Sequence, residues 1–224
     1  MRTNGVVTRG WSRIAANAVA ALFLATTAVA TSGMQAASQT LAALPKSGSI
    51  GRIEGTGIAN PVRAWTKFCQ TYAGECDVDP SEPATITLTP RLWKMLTTVN
   101  RQVNDAIRPV TDMDHWRVVD RWDIPSDGAG DCEDIQLLKR KTLVEQYGLP
   151  RRALRMTVVI DDQGEGHAVL MVRTSEGELI LDNKRNAVLP WHETGYVFVK
   201  REGQDGRDWV SLGDRSSPIT TANR

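Results

Sequence analysis

The spacing of apolar residues changes once along this chain, near residue 150, and this change constrains the fold. Before it, apolar residues recur every three or four positions, as on one face of an α-helix. After it, they alternate or form short runs, as in β-strands. Helices followed by a meander of strands predict an α+β layer structure with an antiparallel sheet.

Three helices are predicted before the change, at residues 61–72, 90–110 and 131–147. Thr89 can cap the second helix, and Pro90 suits its first turn. Gly148 and Pro150 are stop signals for the third helix. Within that helix, the basic run at 139–141 is interpreted as a solvated face.

Five strands are predicted after the change, at residues 153–161, 167–174, 177–183, 195–202 and 208–212. A tight turn between the second and third strands would place Thr174 opposite Gly177. Because side chains alternate between the faces of a sheet, His167 and Asp182 then project from the same face as diagonal neighbours. An aspartate in that position can orient an imidazole.

Residues 1–30 have the composition of an export signal. Three arginines precede the apolar segment 15–30, which ends in the small residues Ala28, Val29 and Ala30. The alternative is an uncleaved membrane anchor, but the segment is short for a span and contains polar residues. We therefore expect a periplasmic or secreted protein.

The rest of the chain is expected to hold one domain. Residues 31–60 are rich in Gly, Ser, Ala and Thr and predict a flexible lead-in, residues 61–214 the folded domain, and residues 215–224 a tail. The formal net charge is +1, so no basic field indicates a nucleic-acid partner.

The three cysteines are expected to differ in state. Cys69 and Cys76 are close in sequence, and an oxidising compartment favours a disulfide between them. A zinc site is the competing interpretation, but neither the spacing nor a nearby histidine fits it. Cys132 is then the unpaired cysteine, a candidate reactive thiol.

Cys132 lies among acids, which is unexpected for a reactive thiol. Asp131 precedes it, and Glu133 and Asp134 follow it, at the start of the third predicted helix. Carboxylates raise the pKa of a thiol, whereas a helix N-terminus lowers it. The cysteine is therefore either inert or accompanied by something that neutralises the acids.

A Cys–His–Asp set is the chemistry that the sequence favours. The chain contains no GxxxxGK, HExxH, GxSxG or GxGxxG motif. If the third helix packs on the sheet, Cys132 is the nucleophile, His167 the base and Asp182 the orienting acid. Trp122 could line the cleft or donate its indole N–H to an oxyanion, and core packing is the alternative.

The segments GDCEDIQLLKR, GEGHAVLMVR and GELILDN, in this order, resemble the bacterial transglutaminase-like cysteine proteinases. The likeness runs from about Trp65 to Leu212. It implies a papain-like core with the nucleophile at a helix N-terminus, and it carries the catalytic roles onto Cys132, His167 and Asp182. It also implies a protein or peptide substrate in the cell envelope and an inner-membrane regulatory receptor. Release of a surface adhesin is one candidate outcome, but the resemblance does not transfer the substrate, because one fold hosts many specificities.

The resemblance further implies that calcium is bound beside the nucleophile. The expected ligands are Asp131 and Glu133, with Asp134 as a third acid, and a divalent cation there would cancel their charge. The alternative is that Asp131 caps the helix and the other two favour its dipole. No organic cofactor is expected.

Three functions fit these residues. The thioester formed on Cys132 can be hydrolysed by water, as in an endopeptidase, or captured by an amine, as in a transglutaminase-type acyltransferase. The third is a binding module that has lost catalysis, against which the intact Cys–His–Asp set argues.

Overall fold

The computed structural model describes residues 44–45 and 50–213. The predicted export signal, most of the lead-in and the tail lie outside these residues. Within the described part, no helix is long and apolar enough to cross a membrane.

A seven-stranded antiparallel sheet is the centre of the fold. The described residues form the strands β1 (Gly57–Ala59), β2 (Arg108–Pro109), β3 (Ala129–Gly130), β4 (Leu154–Ile160), β5 (Gly166–Thr174), β6 (Gly177–Leu181), β7 (Leu189–Pro190), β8 (Val197–Glu202) and β9 (Trp209–Ser211). The order in the sheet is β1-β9-β8-β4-β5-β6-β7, while β2 and β3 form a separate parallel pair.

Along the chain, the α-helices of the described residues lie after β1 and before β4. They are α1 (Arg63–Thr71), α2 (Ala73–Cys76), α3 (Pro90–Ala106), α4 (Asp112–Trp116) and α5 (Cys132–Glu145). Helix α5 packs on β4 and β5, and α3 packs against α5. The nucleophile candidate thus begins a helix that lies directly on the sheet.

The predicted α+β architecture is confirmed. Each predicted helix and strand is present, with ends shifted by at most about four residues. Thr89 caps α3, because its hydroxyl accepts a hydrogen bond from the backbone N–H of Leu92 at 3.1 Å. The short elements β1–β3, β7, α2 and α4 were not predicted, since each is too short to show a period.

The folded domain begins earlier than Pro61, the predicted boundary. Ile50 is fully buried, Ile53 is nearly so, and β1 pairs with β9. Gly177, at φ +130°, lies so close to the backbone of Gly51 that a Cβ there would be 1.9 Å from the Gly51 carbonyl oxygen. Residues 50–60 are therefore part of the domain, and composition alone misplaced them.

Both faces of the sheet are covered by apolar residues. Met156 and Leu170 point into the cluster shared with the helices, whereas Val159 and Met171 point into a smaller cluster on the opposite face. This alternation follows from the two-residue period of a strand. It fixes which strand residues face α5.

The basic run 139–141 is not a solvated face as predicted. Lys139 and Arg140 are fully buried, and only Lys141 is partly exposed. Arg140 forms a buried ion pair with Glu202 at 2.7 Å. The prediction failed because α5 is covered by the sheet on one side and by α3 on another.

Candidate active site

Cys132 is the first residue of α5 and lies against the start of β5. Its side chain is a thiol outside the disulfide and is fully buried. The backbone N–H of Ala168 points at the sulfur, with an N–Sγ distance of 3.4 Å. The packing of α5 on the sheet therefore brings Cys132 to the residue that follows His167.

The hairpin of β5 and β6 brings His167 and Asp182 together, in the predicted register. Thr174 pairs with Gly177 and Leu170 with Leu181. Just beyond the paired residues, Nε2 of His167 lies 2.8 Å from Oδ1 of Asp182, with both side chains buried. The Nε2–H of His167 therefore donates a hydrogen bond to Asp182. This leaves Nδ1 as the ring nitrogen that can exchange a proton with a thiol.

Asp182 is held as a carboxylate. Its Oδ2 accepts a hydrogen bond of 2.6 Å from the hydroxyl of Tyr196, and its Oδ1 accepts one of 3.0 Å from the backbone N–H of Lys184. Burial alone raises the pKa of Asp182, but the hydrogen bonds from His167 and Tyr196 outweigh burial and bring the pKa to about 2. The sequence did not indicate Tyr196 as part of this site.

The thiol of Cys132 is held in its protonated form by its surroundings. Burial raises its pKa well above the ordinary value, and the charges of Glu133 and Asp131 raise it further. The thiol also donates a hydrogen bond to Oε2 of Glu133 at 2.9 Å. The N–H of Ala168 acts in the opposite direction but does not compensate.

The acids around Cys132 form a cluster larger than the sequence predicted. Their carboxylate oxygens come within 4.8 Å of one another in two groups: Asp112, Asp120 and Glu133, and Asp112, Asp131 and Asp134. Asp131, Glu133 and Asp134 were predicted, whereas Asp112 and Asp120 were not. The two additional acids come from α4 and the loop that follows it.

The cluster has the properties of a site for a divalent cation. Burial is the main cause that raises the pKa of Asp112 to about 6, of Asp131 to about 7 and of Asp134 to about 9. Both carboxylate oxygens of Asp131 and Oε1 of Glu133 are buried and make no hydrogen bond of normal geometry to any described residue. Buried charges are paired or coordinate a metal, and carboxylate oxygens are among the ligands that calcium takes.

The alternative role of Asp131 as a helix cap is not supported. Asp131 occupies the N-cap position of α5, but its side chain makes no capping hydrogen bond. Asp134 instead accepts a hydrogen bond from the backbone N–H of Asp123 at 2.7 Å. Gly130 allows this packing, since a Cβ there would lie 2.8 Å from the Asp134 side chain.

A cavity of about 250 Å³ leads to the nucleophile candidate. It is lined by Pro109, Val110, Thr111, Asp114, Asp131, Cys132 and Asn183. Trp122 does not line this cavity; it packs in the core against Trp209, at a ring distance of 6.4 Å. The core-packing interpretation of Trp122 therefore replaces the oxyanion role.

The remaining predicted residues also have clear positions. Cys69 and Cys76 form the expected disulfide. His115 pairs with Asp127 at 2.8 Å on the partly exposed side of α4, and His192 lies in an exposed turn beside Glu193. His167 is therefore the histidine that shares the buried site with Cys132.

A buried cysteine at a helix N-terminus, beside a His–Asp pair on an antiparallel sheet, defines a papain-like thiol site. Residues 55–217 match the family model of the bacterial transglutaminase-like cysteine proteinases (BTLCP). The chain belongs to this family and is a cysteine peptidase.

Solved structures of LapG from Legionella pneumophila are similar to this chain. An EGTA-treated form is 29% identical, with a TM-score of 0.47. The match covers 58% of this chain and 72% of the LapG chain. A calcium-bound form is 27% identical, with a TM-score of 0.48. That match covers 60% of this chain and 76% of the LapG chain. A search of curated proteins gave no match.

Proposed function

We propose that this protein is an exported cysteine endopeptidase whose catalytic triad is Cys132, His167 and Asp182. Support comes from one arrangement: the sulfur of Cys132 receives the N–H of Ala168, while the adjacent His167 is bonded to Asp182. Membership in a family of cysteine proteinases supports a protein or peptide substrate.

The chemistry divides peptide hydrolysis into two steps. The Cys132 thiolate attacks the carbonyl carbon, and protonated His167 donates its Nδ1 proton to the leaving amine, which leaves a thioester on Sγ. Neutral His167 then accepts a proton from water, whose oxygen attacks the thioester and releases the carboxylate product and the thiol. Asp182 holds the imidazole and stabilises its charged form through Nε2.

The N-terminus of α5 favours the thiolate and the tetrahedral intermediate. Backbone N–H groups of the first helical turn have no partner within the helix, and the helix dipole places partial positive charge there. The partial positive charge lowers a thiol pKa, and the N–H groups can donate hydrogen bonds to an oxyanion. These effects oppose the carboxylates of Asp131 and Glu133.

We propose that calcium is held beside the nucleophile by Asp131, Glu133 and Asp134, together with Asp112 and Asp120. Support comes from both carboxylate oxygens of Asp131 and from Oε1 of Glu133, which are buried and make no hydrogen bond of normal geometry to any described residue. When bound, the cation supplies positive charge that offsets the acids and so lowers the pKa of the Cys132 thiol.

The proposed location is the periplasm or the cell exterior, with substrates in the cell envelope and release of a surface adhesin as the expected outcome. The export signal at residues 1–30 and the Cys69–Cys76 disulfide support this location. The inner-membrane regulatory receptor stays a prediction from the resemblance.

The test is N-terminal proteomics of envelope proteins in cells that carry the wild-type protein or Cys132→Ala. We expect new N-termini on surface proteins only with the wild type. If the wild type instead attaches a labelled donor amine to its substrates and creates no new N-termini, the protein is an acyltransferase. If neither activity occurs, it is a binding module.

A further inference from the structure

The acids around Cys132 offer more ligands than one cation requires, and they are arranged in two groups. Asp112, Asp120 and Glu133 form one group, and Asp112, Asp131 and Asp134 form the other. Two oxygens bound to one calcium ion, each at about 2.4 Å, lie at most about 4.8 Å apart. Each group meets that spacing on its own, and Asp112 is common to both.

Each group also contains an acid that requires a positive partner. In the first group, Glu133 is fully buried and its Oε1 has no hydrogen bond of normal geometry within the described residues. In the second group, Asp131 is about 3% exposed. Both of its carboxylate oxygens also lack a hydrogen bond of normal geometry within the described residues. A buried carboxylate that lacks a partner is strongly destabilising, and a bound cation would remove that cost.

The negative charge of the five acids also favours more than one cation. Carboxylates bind a metal ion in their ionised form, and five ionised carboxylates carry a formal charge of −5. One divalent cation would leave −3 in a buried region, whereas two would leave −1. Opposite charges attract strongly where water is excluded, so the net charge of −3 that remains beside one ion favours a second cation.

Hydrogen bonds hold the two groups in place without occupying all their oxygens. Asp112 accepts from the backbone N–H of Arg121 through Oδ2, and Asp134 accepts from that of Asp123 through Oδ1. A carboxylate has about four lone-pair sites, so Asp112 can bridge two cations while it accepts this bond.

We propose that the protein binds two calcium ions, one in each group, bridged by Asp112. This proposal rests on the calcium site suggested above and adds a second ion on the side of Asp120 and Glu133. The second ion connects the loop after α4 to the residue that accepts the hydrogen bond of the Cys132 thiol.

The test is the number of calcium ions bound per chain, measured by equilibrium dialysis at buffered free calcium. We expect two for the wild-type protein, and one each for Asp120→Asn and Asp134→Asn, because each substitution removes charge from one group. Asp112→Asn should weaken both sites. Asp105→Asn, in an exposed acid of α3 outside both groups, is the matched control and should still bind two.

One ion per wild-type chain would overturn the two-ion proposal and leave the single calcium site. Loss of both ions from Asp120→Asn in a folded protein would also overturn it, because the groups would then form one centre. No bound calcium would remove the calcium proposal altogether, while the triad is tested separately by peptide cleavage. The wild-type count decides the proposal even if a variant fails to fold.

Discussion

The thiol of Cys132 donates a hydrogen bond to the carboxylate of Glu133, the next residue in the chain, at 2.9 Å. This contact stabilises the thiol, the unreactive form, and the pKa of Glu133 is itself raised by burial and by the charge of Asp131. The acids therefore suppress a nucleophile that the helix N-terminus would activate. A cation that pairs with Glu133 would remove this suppression.

The first prediction is that calcium lowers the pKa of the Cys132 thiol, because the cation offsets the charges of Glu133 and Asp131. Among the described residues, Cys132 is the cysteine outside the disulfide, so the pH dependence of its alkylation reports this pKa. Glu133→Gln should lower the pKa in chelator and reduce the calcium response, and Asp105→Asn should change neither. Equal wild-type pKa values in chelator and in calcium would contradict this explanation.

The second prediction concerns Tyr196, whose hydroxyl donates to Asp182. Tyr196→Phe should raise the pKa of Asp182 and lower the free energy of unfolding by about 1–2 kcal/mol, the usual cost of an unpaired buried acceptor. We expect turnover to fall severalfold, since Asp182 then orients His167 less firmly. Denaturant unfolding and steady-state kinetics measure the two effects. Tyr147→Phe, in a partly exposed tyrosine after α5, is the control and should change neither.

The third prediction concerns Lys139, which is fully buried with no hydrogen-bond partner for its Nζ within the described residues. Burial lowers its pKa to about 7, partly opposed by Asp182. The folded state therefore binds fewer protons than the unfolded state between about pH 7 and pH 10.5, and stability rises with pH in this range.

Lys139→Met should remove this dependence. Relative to the wild type, the free energy of unfolding of the variant should be greater by roughly 5 kcal/mol below pH 7 than at pH 10.5. Lys141→Met on the same helix removes a partly exposed, ion-paired lysine and should show no such trend. A pH-independent difference for Lys139→Met would show that the lysine is charged in the folded protein at all these pH values.

The fourth prediction concerns the Cys69–Cys76 disulfide, which closes a short loop between α1 and α2. The double substitution of both cysteines by alanine should lower the free energy of unfolding by at most about 2–3 kcal/mol. Activity under native conditions should persist, because neither cysteine is part of the proposed triad. Mass spectrometry of the unreduced protein checks the pairing, and a bridge that includes Cys132 would contradict the assignment of the nucleophile.

The sequence predicted those parts of the site that depend on local periodicity. The two-residue period and the turn after Thr174 were sufficient to place His167 beside Asp182. The capping pattern at Thr89 and the stop signals after residue 147 likewise located α3 and the end of α5. Each of these features depends on one short, continuous stretch of the sequence.

Parts of the site that depend on distant contacts were not predicted. Tyr196 reaches Asp182 from the residue before β8. Asp112 and Asp120 reach Glu133 from α4 and the loop after it, which are too short to show a period. The burial of Lys139 depends on which side of α5 meets α3 and the sheet, and charge alone suggested the opposite. Only the packed structure supplies this information.

The central claim is that Cys132, His167 and Asp182 act as one catalytic unit. Turnover of an envelope protein substrate by purified Cys132→Ala and His167→Ala tests it most directly, with folding confirmed by circular dichroism. The control is His192→Ala, whose exposed histidine lies in a turn beside Glu193. We expect a loss of about 10²–10⁴-fold or more in the first two variants and near wild-type turnover in the third. Turnover retained by Cys132→Ala or His167→Ala would contradict the claim.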